Sequence, residues 1–114
     1  MNAKEFEDKV YNRCLEVQKY GYTIVSNNYG IYFSPLNRKF ILINKKFVCP
    51  LGACLLNSPC QNSSILEATI DYFNVSEQRV HSFIEGVDGV SPDLSFDKEF
   101  YKAGKSIRKR LGIR

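Results

Sequence analysis

The chain has 114 residues, 44% of them apolar, and carries 16 Lys and Arg against 12 Asp and Glu, for a net charge of +4. That is the length of one domain, 1–114, with enough material to close a core without staples, and the composition excludes a low-complexity or repeat architecture. The longest apolar run, Phe40–Ile43, is far too short to span a membrane.

The N-terminus, Met1-Asn2-Ala3-Lys4-Glu5-Phe6, has neither the apolar stretch of a secretory signal nor the Arg- and Ser-rich character of a transit peptide. We expect a cytoplasmic protein whose four cysteines (Cys14, Cys49, Cys54 and Cys60) are free thiols. Asn62-Ser63-Ser64 and Asn74-Val75-Ser76 are then chance matches to the glycosylation pattern.

Asn2 with Glu5 three residues on forms a capping box, and Ala3, Phe6, Val10, Cys14 and Val17 recur at helical spacing until Gly21 stops the helix. Lys4, Glu5, Asp8, Lys9 and Arg13 fall on the solvent side. Three strand-like runs follow: Tyr22–Val25, Ile31–Ser34 and Phe40–Val48, separated by turns at Asn27–Gly30 and Pro35–Arg38. The short loops predict a three-stranded antiparallel meander, with the first helix covering one face. Leu51–Leu56 reads as a short helix ended by Asn57-Ser58-Pro59. Two helices joined at Asn74-Val75-Ser76 occupy Ser64–Gly86, the second closed by Gly86, with Val87–Leu94 a loop. Ser95 or Asp97 caps a final amphipathic helix with Phe96, Phe100, Ala103, Gly104, Ile107 and Leu111 inward. The fold class is α+β: an N-terminal helix, a three-stranded antiparallel meander, then a helical half ending in a basic amphipathic helix.

The helix pair at 64–86 has the outline of a helix-turn-helix DNA reader. Val80 and Phe83 match inward positions, and Gln78, Arg79, His81 and Ser82 lie on the candidate reading helix. Charge opposes that reading. Cys60–Asp97 carries Arg79 against Glu67, Asp71, Glu77, Glu85, Asp88, Asp93 and Asp97, a surface that phosphates would repel. Ile70 also stands where a small residue normally lets the two helices approach. A packed helical hairpin accounts for the pattern better. The last seventeen residues are the opposite, with seven Lys and Arg against Glu99. Their cationic face, Lys98, Lys102, Lys105 and Lys109, suits a nucleic-acid backbone, an anionic membrane surface or an acidic protein. It suits equally a solvated helix face or an internal partnership with the acidic segment.

Cys49, Cys54 and Cys60 lack the close paired spacing of a zinc site, and no Cys-x-x-Cys motif appears. Cys49 precedes a short helix and would be a reactive thiol if exposed. Asp88-Gly89-Val90-Ser91 is too sparse in oxygen ligands for calcium. His81 has no nucleophile beside it, and there is neither a phosphate-cradling glycine loop nor a nucleophile elbow. We therefore expect no catalytic residues, no metal and no cofactor.

Cys49-Pro50-Leu51-Gly52-Ala53, Val75-Ser76, Phe83-Ile84-Glu85-Gly86-Val87-Asp88-Gly89 and Tyr101-Lys102-Ala103-Gly104-Lys105 together resemble a family of small bacterial proteins, cyanobacterial ones included, that has no established activity. The resemblance covers about half the chain, from Cys49 onward. It implies that the Cys-Pro-Leu-Gly-Ala turn and the Gly-x-Asp-Gly loop belong to one scaffold, and it carries no substrate or catalytic residue. The residues point to a non-catalytic protein that binds another protein or itself through Arg79, His81, Glu85, Asp88, Lys98, Lys102, Lys105 and Lys109. The alternative is nucleic-acid binding through the pair 64–86 and the helix 97–112.

Overall fold

The computed structural model describes residues 1–26, 30–43, 47–56, 64–92 and 96–113. Its elements are α1 (Ala3–Lys19), β1 (Thr23–Ile24), β2 (Ile31–Ser34), β3 (Lys39–Leu42), β4 (Phe47–Val48), α2 (Pro50–Leu55), α3 (Ile65–Phe73), α4 (Glu77–Asp88) and α5 (Lys98–Arg110). The class is α+β. The turn residues Asn27–Tyr29, the Asn57-Ser58-Pro59 stop, Cys60, Asp93, Ser95 and Arg114 lie outside the described residues.

Helix α1 starts as its sequence dictates. The Asn2 side chain accepts from the Glu5 N–H at 2.8 Å, satisfying one of the donors a helix start leaves open. Phe6, Val10, Cys14 and Val17 are buried on one stripe. Phe6 lies at the centre of the core, its ring centre 4.7 Å from that of Phe73, 4.8 Å from Phe83 and 5.4 Å from Phe100. One side chain of α1 thus meets α3, α4 and α5, and tilted aromatic contacts of this kind add to simple burial.

The strands differ from a three-stranded meander. β2 and β3 form an antiparallel hairpin, with Tyr32 opposite Ile41 and Phe33 opposite Phe40. β1 pairs instead with β4, and in parallel, Thr23 opposite Phe47 and Ile24 opposite Val48. Short loops forbid a parallel crossover only between neighbouring strands. Here the hairpin itself is the crossover, and its length satisfies the requirement. Gly30 makes the arrangement possible: at φ +72° it lies so close to β4 that an added Cβ would stand 2.0 Å from the Phe47 carbonyl oxygen.

Helix α2 is buried along its whole length. Pro50 occupies its first turn, where a missing N–H costs nothing. The α3–α4 turn places Asn74 in the left-handed region at φ 53°. Ser76 precedes α4, although its side chain makes no capping hydrogen bond.

The second helix of the pair does not close at Gly86. It continues to Asp88, and Gly89, at φ +73°, ends it. Gly86 is instead a contact point between α4 and α5, the most extensive helix–helix interface in the molecule. A Cβ on Gly86 would stand 2.3 Å from the Tyr101 carbonyl oxygen, and one on Gly104 would stand 2.1 Å from that of Phe83. The two backbones touch, which only paired glycines allow. The Asp97 N–H donates to Ser82 Oγ at 2.8 Å, and Arg108 Nη1 donates to the Val87 carbonyl at 2.7 Å. Contact positions rise together along both helices, so α5 runs in the same sense as α4.

Candidate functional site

The structure does not present the residues of the helix pair as one surface. Glu85 is buried on α4. Its Oε1 lies 3.2 Å from His81 Nδ1, without the geometry of a hydrogen bond. Arg79 faces Asp97 at 3.4 Å and lies over the Phe100 ring, so the single cation of α4 is spent on α5. Asp88 is half-buried. What remains outward on α4 is Glu77, Gln78 and His81 beside Arg79.

Cys49 is not available as a reactive thiol. It is buried at the start of α2, where its Sγ accepts from the Gly52 N–H at 3.2 Å. Burial pushes its pKa up to about 12, against the lowering from nearby backbone N–H groups. Burial likewise raises Cys14 to about 12 and Cys54 well above the ordinary value. A thiol whose proton is held this tightly is a poor nucleophile. Among the described residues, no group of three His, Cys, Asp or Glu side chains is placed to hold a metal ion.

The last helix gathers the sequence's other candidates. Asp97 accepts from the Phe100 N–H at 3.0 Å and starts α5. Phe100, Ala103, Gly104 and Ile107 are buried on its inner side. Lys98, Lys102, Lys105 and Lys109 are all exposed. At 100° per residue they fall within about 60° of one another, a straight stripe about 16 Å long. None of the four meets a carboxylate among the described residues; Lys105 lies over the Tyr101 ring.

Arginines are used in the opposite way. Arg13 donates from Nε to the Ala53 carbonyl and pairs with Glu16. Arg110 reaches across to α1, where it meets Glu7 at 2.6 Å and Asp8 at 3.5 Å and stacks 3.7 Å from the Tyr11 ring centre. With Arg79 and Arg108, every described helical arginine joins two parts of the fold or closes a helix end. That division follows from chemistry: the flat guanidinium fork fits fixed acceptors and ring faces, whereas the ammonium on its flexible stem is best left in water.

At its C-terminal end the lysine stripe borders a cleft of about 480 Å³ lined by Gly86, Gly89, Lys105, Arg108, Lys109, Gly112 and Ile113. Arg108 and Gly112 were not among the residues singled out from sequence. The signal was present for both: Arg108 stands at i+3 from Lys105, and Gly112 follows the last basic turn, where a helix-ending glycine is expected. A second groove, about 510 Å³, lies along α1 and α3 and includes Lys9, Arg13, Glu16 and Tyr72. Neither cleft is lined by Cys49 or His81. Of the large apolar side chains exposed among the described residues, Tyr32, Leu36, Ile43 and Phe47 belong to the β segment, Met1, Leu15, Tyr20 and Tyr72 lie on or beside α1 and α3, and Val90 lies beside α4 and α5.

Comparison with protein-family models, curated proteins and solved structures finds no match for this chain.

Proposed function

We propose that this is a non-catalytic binding protein whose working surface is the lysine face of α5, and that its partner is another protein presenting an acidic segment. The observation that supports this reading is the contrast just described. The helical arginines are paired with groups of the fold itself, while four lysines on one helix face meet no carboxylate among the described residues. Exposed like charges in a row repel one another, and of the four only Lys109 stands in the last turn, where the helix dipole favours a cation, so an external partner is the reading that accounts for the whole row.

The partner is read as protein because the stripe is one helix wide. On one flank stand the exposed Glu99 and the half-buried Asp8 of α1. A duplex would bring its second phosphate strand against those carboxylates. An acidic segment of a protein needs only the stripe. The nucleic-acid alternative, through α3, α4 and α5, finds less support because Arg79 is held by Asp97 and α4 presents Glu77 outward.

Fluorescence anisotropy tests the reading with a labelled Glu-rich peptide, a DNA duplex and a single-stranded RNA, all at low salt. The peptide is expected to bind, and Lys98→Glu with Lys102→Glu should weaken it about tenfold or more, roughly 1.4 kcal/mol. DNA or RNA binding tighter than the peptide, and falling by decades as salt rises, would replace this reading with the nucleic-acid one.

A further inference from the structure

The cleft beside the lysine face has more chemistry than a general attraction for carboxylates requires. Lys105, Arg108 and Lys109 line it together with Ile113 and with Gly86, Gly89 and Gly112, which project no side chains into it. No carboxylate is among the described residues that line it. Two of the three cations are held in place. Arg108 donates one of its five N–H groups to the Val87 carbonyl, and its guanidinium lies against Gly89, where an added Cβ would stand 3.2 Å from Cζ. Lys105 Nζ sits 5.5 Å from the centre of the Tyr101 ring, and Tyr101 is tied by its hydroxyl to the Val90 carbonyl at 2.8 Å.

The cleft lies at the C-terminal ends of α4 and α5, each carrying about half a negative charge. Three full positive charges exceed that, and Arg108 already covers the α4 carbonyl end. A single carboxylate would be satisfied by one of these cations. A phosphomonoester, with about −1.5 to −2 charge and three acceptor oxygens, is the group that engages a guanidinium fork and two ammonium groups together.

We propose that this cleft binds a phosphomonoester, and that the phosphate is borne by a phosphorylated residue of the acidic partner. The peptide origin rests on the protein-binding reading above; the phosphate chemistry of the cleft does not. Lys102 and Lys98 continue the stripe for about 10 Å from Lys105, the reach of about three extended residues. The partner's acidic residues therefore lie within about three positions of the phosphorylated one, on one side of it.

The test is calorimetric titration of the full chain with one Glu-flanked peptide in serine and phosphoserine forms, and with inorganic phosphate. Phosphorylation is expected to tighten binding about tenfold or more. Lys105→Gln with Lys109→Gln, both exposed positions, should bring the two forms within about twofold of each other with the circular dichroism unchanged. Arg108→Lys, which keeps the charge but loses the fork, should remove part of the increment. Lys98→Gln with Lys102→Gln should weaken both forms alike and leave the increment intact. Binding of the serine peptide with no gain on phosphorylation overturns the phosphate site and leaves the lysine-face reading standing. A gain that survives Lys105→Gln with Lys109→Gln overturns the cleft as its location. Inorganic phosphate binding that these two substitutions abolish, with no contribution from the flanking acids, upholds the phosphate site and overturns the peptide source. If neither peptide nor phosphate binds, both proposals fall.

Discussion

Glu7 joins the two ends of the chain. It is buried on α1 and accepts from Arg110 at 2.6 Å and from Ser106 Oγ at 2.8 Å. Removing Arg110 would leave that carboxylate buried with only the serine for support, so Arg110→Ala should cost about 2–3 kcal/mol in urea unfolding. Glu7→Ala on top of it should cost less than the sum, because the orphaned charge goes with it. Additive losses would show that the pair contributes nothing. The cysteines make a prediction in pH. Cys14 and Cys49 hold their protons to about 12 in the folded chain, against an ordinary value of 9.0. A raised native pKa means the unfolded thiol ionises first as pH rises. The stabilisation is therefore complete below 9.0 and lost between 9.0 and about 12. Urea midpoints should fall through that window, and alkylation mapped by mass spectrometry should leave Cys14, Cys49 and Cys54 unmodified in the native protein. Prompt labelling of Cys49 would contradict its burial. Small buried apolar residues are the better reading of these cysteines from sequence, but the exposure of Cys49 itself stays open there, because a cysteine before a proline-led turn reads the same whether the turn lies outside or beneath α1.

Among the elements, the contact of Gly86 with Gly104 decides where α5 lies. Replacing a helical glycine by alanine ordinarily gains about 1 kcal/mol of helix propensity. Here the new methyl group meets backbone oxygen on the neighbouring helix, at 2.3 Å from Gly86 and 2.1 Å from Gly104. Backbone cannot step aside as a side chain can, so overpacking of about 3 kcal/mol, the upper end of the usual range, outweighs the gain. Gly86→Ala and Gly104→Ala should each destabilise by about 2 kcal/mol or more in denaturant melts, and stabilisation by either would refute the close crossing. Asn2, Gly21, Asn74 and Asp97 announced their helix ends because each acts within one turn of chain. Gly86 reads in the sequence as a stop because a glycine near a helix end most often is one. Its real partner is eighteen residues on, at a spacing no local pattern encodes. The pairing of β1 with β4 was hidden for the same reason: local turn chemistry fixed the β2–β3 hairpin and said nothing about strands brought together around it.

At the scale of the molecule, the acidic helix pair and the basic helix do not cancel each other. α4 and α5 are packed by small and apolar residues and by their arginines, and the lysines point away. Lys98→Gln, Lys102→Gln, Lys105→Gln and Lys109→Gln should accordingly each leave unfolding free energy within about 0.5 kcal/mol, in contrast to Arg110→Ala. A loss as large as that of Arg110→Ala from any one of them would mean the lysines serve the fold. The cationic stripe itself was legible as spacing along α5. Whether it faced water or the acidic segment was not, since that depends on which side of α5 receives Gly86. The central claim, that this face is where a partner docks, is tested most directly by a nitrogen–proton NMR titration of the full chain with the Glu-flanked phosphoserine peptide. We predict amide shifts concentrated on residues 98–112 and the Gly86–Gly89 end of α4. Shifts centred on the β2–β3 hairpin, on α1 and α3, or nowhere at all would contradict the claim.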